Sequence, residues 1–90
     1  MKYLLIYQSA PDAGAAIAEH FPAHKARWSE FSDDGTLLMI GPYTDRSGAL
    51  AIFTTLEAAE AFATSDPFVT NGVVSSWSVV EWMEALVPEA

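Results

Sequence analysis

The sequence predicts an α+β domain of ferredoxin-like type, a βαββαβ chain whose antiparallel four-stranded sheet carries helices on one face. Three observations point there. Four short β-rich runs are separated by two segments of helical period. Glycine and proline stand between these runs where turns are needed. The first run, KYLLIYQ, is apolar on both alternating sets, Tyr3, Leu5 and Tyr7 on one and Leu4 and Ile6 on the other. That pattern marks a strand covered on both faces.

The connection SAPDAGAA is rich in turn residues, and Ile17 to Glu19 could begin a helical turn. The first helix is expected over PAHKARWSEFSDDG, with Pro22 in its first turn, where a missing N–H costs nothing, and Gly35 at its end. His24, Trp28 and Phe31 recur at i, i+4 and i+7, so His24 belongs to the buried stripe, with Lys25, Ser29 and Ser32 facing out. TLLMIGP is a second strand, closed by Gly41-Pro42, and YTDRS a short loop into a third strand, GALAIFT; the two form a hairpin. In TTLEAAEAFATS, Thr54 with Glu57 fits a capping box, and Leu56, Ala59, Phe62 and Ala63 make the apolar stripe of a second helix that Pro67 stops. GVVSSWSVVEWME is the last strand, followed by a tail, ALVPEA, expected to fray.

With helices on one side only, the other sheet face of a monomer would be an exposed apolar patch, so two sheets packed face to face in a homodimer are expected. The 90 residues are enough for one core and no more, giving a single domain over 1–90. The net charge is −8, and the only lysines and arginines are Lys2, Lys25, Arg27 and Arg46. Such a surface repels phosphate backbones and anionic membranes, so neither nucleic acid nor membrane is an expected partner. No apolar run approaches the roughly 18 residues of a membrane span. The absence of cysteine fits a cytoplasmic setting and removes thiolate chemistry.

The segment ATSDPFVTNG raises the sharpest question. Asp66 precedes Pro67, which pushes it out of the α region. Asp is a strong N-cap and Pro a good first helical residue, so DPFVTNG reads as a capped helical turn ended by Asn71-Gly72. Asn would serve as such a cap equally well. A carboxylate has two oxygens, however, and capping leaves room for a second role. His24, placed in the first turn, would meet the positive end of the helix macrodipole, which favours a neutral ring. A neutral imidazole beside a cleft suits a general base, though a core histidine bonded to a backbone carbonyl is the commoner case. His20 and His24 have a spacing used for metals, but Pro22 lies between them and no Cys or HExxH pattern supports a site, so no metal is expected. There is no phosphate loop and no nucleophile elbow.

FPAHKARW, GTLLMIGP and TTLEAAEAFATSDPFVTNGVV, taken in order, resemble the YCII-related family over nearly the whole chain. The resemblance implies a ferredoxin-like fold assembled as a dimeric α/β barrel, and a His-Asp pair that falls on His24 and Asp66. It implies general acid–base chemistry on a small organic molecule. One branch is similar to dehydrochlorinases of chlorinated hydroxyquinones. Two departures stand out: the loop after Gly41-Pro42 is shorter than in many members, and Lys25 replaces a residue that is more often apolar.

The expected function is therefore a cofactor-independent acid–base enzyme of elimination, isomerisation or hydrolysis type. In it His24 moves the proton and Asp66 orients the ring. Tyr7, Trp28, Gly41, Pro42 and Phe68 are candidates for the walls and floor of its pocket, and Arg46 for an anionic substrate group. The alternative is a non-catalytic dimer that binds a small molecule or serves a larger enzyme.

Overall fold

A computed structural model describes residues 1–88. The chain runs β1 (Lys2–Ser9), α1 (Gly14–Asp33), β2 (Leu37–Pro42), β3 (Gly48–Phe53), α2 (Leu56–Ser65), α3 (Pro67–Thr70) and β4 (Val74–Trp82). The sheet order is β2-β3-β1-β4, and every neighbouring pair is antiparallel. This is the expected ferredoxin-like arrangement, with one short helix added between α2 and β4.

The two-sided alternation of β1 explains its central place. Leu5 and Tyr7 are buried with Ala51 and Phe53 of β3, and the α2 residues Ala59, Phe62 and Ala63 close that core. Phe31 of α1 packs edge-on against both Phe53 and Phe62. The opposite face carries Leu4 and Ile6, paired with Ile52 and Leu50 of β3. These four are half-buried, whereas Met39, Val80 and Trp82 are exposed, Met39 at 67%.

Three local expectations need correction. The first helix starts at Gly14, eight residues before Pro22, which lies inside it on an exposed turn. Proline removes one helical hydrogen bond, but at a solvent-facing position water can take the freed carbonyl. His24 is consequently far from the helix N-terminus, and the macrodipole has no hold on it. The cap of α2 is Thr55 rather than Thr54: its side chain accepts from the Ala58 amide at 3.1 Å. Leu56, assigned to the buried stripe of α2, is exposed, because it lies in the first turn ahead of the contact with the sheet. The last two residues of the tail lie outside the described residues, and its Leu86 and Val87 are exposed.

Gly35 ends the first helical region with a positive φ of 85°, the left-handed conformation in which glycine is unstrained. Gly48 is required for a different reason. A Cβ there would overlap the carbonyl oxygen of Tyr7 on the neighbouring strand, so only glycine lets β3 approach β1 at this point.

Candidate active site

Asp66 sits at a junction. Its backbone (φ −66°, ψ 126°) ends α2 and begins α3, and Pro67 at the first helical position enforces that extended geometry. The side chain is thereby turned inward and is fully buried, at 0% exposure. Three donors converge on it. Oδ1 accepts from the Phe68 amide at 3.1 Å and lies 2.7 Å from His24 Nδ1, while Oδ2 accepts from the Tyr7 hydroxyl at 2.6 Å. The expected helix cap is present, and two side chains from distant elements bond the same carboxylate.

This arrangement fixes the chemistry of His24. An ionised carboxylate only accepts, so Nδ1 must be the protonated nitrogen of a neutral His24 ring. Nε2 then carries the free lone pair. Among the described residues it has no hydrogen-bond partner, and it is not sealed from the cavity that His24 lines. The side chain is 7% exposed and is held on several sides. Phe68 stacks on it at 3.9 Å with planes 10° apart, Trp28 meets it edge-on at 5.2 Å, and Phe62 lies 6.0 Å away. Phe68 therefore contributes both a backbone donor to Asp66 and an aromatic face to His24. Burial, followed by the hydrogen bond to Asp66 and its charge, pushes the Tyr7 hydroxyl pKa up, so it stays protonated and keeps donating.

The cavity over this pair has a volume of about 380 Å³, within the range of small-molecule sites. Tyr7, Trp28, Gly41, Pro42, Arg46 and Phe68 all line it together with His24, while Asp66 lies beneath the surface behind the imidazole. Several lining residues were not anticipated from the sequence. Ile17 and Phe21 belong to the part of α1 that precedes Pro22, and extending the i, i+3/i+4 stripe of His24 backwards would have found both. Ser9 enters from the end of β1, Ile40 from within β2 and Val73 from just before β4. Tyr7, expected as apolar wall, also holds the acid. Among the described residues no group of three His, Cys, Asp or Glu side chains is placed to hold a metal, and His20 faces Glu19 at 3.4 Å. No helix among them is long and apolar enough to cross a membrane.

The fold and site are those of a small ferredoxin-like protein with a buried His-Asp pair under an apolar cavity, and comparison with known proteins agrees with that fold. The YCII-related domain model matches residues 1–83, and the chain belongs to this family. Protein YciI of Escherichia coli O6:H1 (strain CFT073) is 35% identical over 91 aligned positions, covering 88% of this chain and 93% of the relative. Protein YciI of Shigella flexneri matches to the same extent. Among solved structures, 5-chloro-2-hydroxyhydroquinone dehydrochlorinase (TftG) from Burkholderia phenoliruptrix AC1100, in complex with 2,5-dihydroxybenzoquinone, superposes with a TM-score of 0.79. That alignment covers 94% of this chain and 96% of the other at 19% identity, a likeness of fold.

Two predictions follow from the hydrogen bonds. As a cap alone, Asp66→Asn would be almost neutral. With Tyr7 and His24 both donating, the new amide must turn its NH2 toward one of them, leaving a buried donor unpaired. Urea denaturation should therefore show a loss of about 1–3 kcal/mol; a change within about 0.5 kcal/mol would leave capping as the residue's whole structural role.

The second concerns alkaline pH. Tyr7 has a folded-state pKa raised above the ordinary value of 10.0. Its contribution to stability is thus complete below pH 10 and declines as the pH rises further, because the unfolded chain loses that proton first. Denaturation between pH 9 and 11 should show this decline, and Tyr7→Phe should make the slope shallower.

Proposed function

We propose that this chain is a cofactor-independent acid–base catalyst acting on a small organic molecule, with His24 as the proton-transfer group and Asp66 as its orienting partner. The observation that carries the reading is the single geometry in which Asp66 holds Nδ1 while Nε2 is left toward the cavity. In an elimination, Nε2 takes a proton from a carbon next to the one bearing the leaving group. The C–H electron pair becomes the new π bond, and the leaving group departs with the pair of its own bond. The imidazolium so formed is stabilised by Asp66 and returns its proton to solvent or product. Tyr7 and the Phe68 amide keep the carboxylate from rotating away. Trp28, Gly41, Pro42 and Phe68 shape the space in which the substrate is held. The dehydrochlorinase activity named for TftG makes elimination the first reaction to test, and enolisation or hydrolysis would use the same pair.

The apolar face opposite the helices supports a homodimer, since Met39, Val80 and Trp82 would otherwise face water together. Light scattering at micromolar concentration should give a mass near twice 9.7 kDa. A monomer would show that this face is not used for self-association.

The catalytic reading is tested by His24→Asn. Chloride release from 5-chloro-2-hydroxyhydroquinone, and proton exchange on a panel of small enolisable ketones and acids, would serve as the assays. On whichever compound the wild type turns over, the variant should be slower by about 10²-fold or more, with its circular dichroism unchanged. Undiminished turnover would remove His24 from the chemistry.

A further inference from the structure

The loop between β2 and β3 holds a charged residue whose backbone is costly and whose side chain has no protein partner among the described residues. Arg46 has φ 66°, in the left-handed region where a side chain other than Gly or Asn is disfavoured. The position is forced. The Arg46 amide donates to the Tyr43 carbonyl at 3.0 Å, closing a β-turn, and the Tyr43 amide donates to Gly48 at 2.8 Å, closing the hairpin. A turn followed by a left-handed residue is a common way to complete such a loop, and glycine is the usual occupant. The acid next to it does not neutralise the arginine. Asp45 Oδ1 accepts from the Ser47 amide at 2.9 Å and from the Ser47 hydroxyl at 2.7 Å, and these bonds lower the Asp45 pKa. Among the described residues Arg46 makes no ion pair and no side-chain hydrogen bond, unlike Lys2 and Arg27, which do. It lines the cavity of His24, where among the described residues it is the only lysine or arginine and no carboxylate lines the wall.

We propose that Arg46 is the specificity-determining residue of this cavity, selecting a flat ring that carries an anionic group at the edge facing the β2–β3 loop. This deepens the proposed function and rests on the cavity being the substrate site. The rest of the lining accounts for the ring: Phe21, Trp28 and Phe68 give aromatic surface, and Ile17, Ile40 and Pro42 give aliphatic surface. A chain of net charge −8 repels anions at long range, so an anionic ligand needs a local cation, and Arg46 supplies it. A guanidinium pairs with a carboxylate or an ionised enol through two parallel N–H bonds, which fixes the ring in its plane.

The test reads binding rather than turnover, so it stands apart from whether His24 is a catalyst. The probes are 2,5-dihydroxybenzoquinone, whose hydroxyls are vinylogous acids and ionise at neutral pH, and hydroquinone, which stays neutral. Wild type should bind the anion more tightly than hydroquinone, with an affinity that weakens as salt is added. Arg46→Asn keeps a residue that tolerates the left-handed backbone. It should weaken the anion about fivefold, the upper end for an ion pair reached by solvent, and leave hydroquinone unchanged. Its Tm should be no lower than wild type, because the strained arginine backbone is relieved. Arg46→Lys should recover part of the anion affinity. Equal losses for both probes, an unaffected anion, or a wild type with no preference for the anion would each overturn the assignment.

Discussion

Everything in this site depends on one buried carboxylate that is hydrogen-bonded at both oxygens. A carboxylate sealed from water is tolerable only when donors replace its hydration. Asp66 gains them from three separate parts of the chain: the α3 amide of Phe68, the β1 hydroxyl of Tyr7 and the α1 imidazole of His24. The carboxylate thus ties the central strand, the long helix and the α2–α3 junction to one point. A displacement of any of them would leave a buried charge or a buried donor without a partner. The orientation of His24 is therefore a consequence of the fold's own polar accounting, and it is present before any substrate arrives.

Packing supports the same point from the other side. Stacked on Phe68 and flanked edge-on by Trp28, the imidazole has little room to rotate. Phe21 closes the aromatic group through its edge contact with Trp28, at 5.5 Å. Phe21, His24 and Trp28 fall on one helical face only because α1 runs without interruption through Pro22. Gly48 contributes at a distance: by letting β3 approach the Tyr7 carbonyl it sets the position of the strand that delivers the tyrosine hydroxyl. A site built on strand, helix and cap in this way is preorganised, which is what proton transfer at a fixed nitrogen requires.

Much of this was legible in the sequence. Alternation in KYLLIYQ marked a central strand, Gly41-Pro42 and Gly35 marked real ends, and the Asp-Pro pair marked a real cap. What stayed hidden was of two kinds. Some signals were locally ambiguous. A proline near a helix start reads as the first turn, and whether it instead lies inside a longer helix depends on which side faces water. Adjacent Thr54 and Thr55 offer two capping frames that only the helix register separates. Other features had no local signal at all. The Tyr7–Asp66 bond joins residues 59 positions apart, and nothing in the strand distinguishes a tyrosine that merely fills space from one that holds an acid. The His24–Asp66 contact spans 42 positions, and in the sequence it was visible only through resemblance to a family. Arg46 was legible as a candidate for an anionic group, but its left-handed backbone and the engagement of Asp45 by Ser47 have no signal in the sequence.

The central claim is that the carboxylate of Asp66 holds the His24 proton on Nδ1 and leaves Nε2 as the free base. Nitrogen-15 NMR of the imidazole reads this directly, since protonated and unprotonated ring nitrogens have well separated shifts. At a pH where the ring is neutral, wild-type protein should show His24 as a single tautomer, with the proton on Nδ1. A His24 with its proton on Nε2, or an averaged mixture of tautomers like that of free imidazole, would contradict the account.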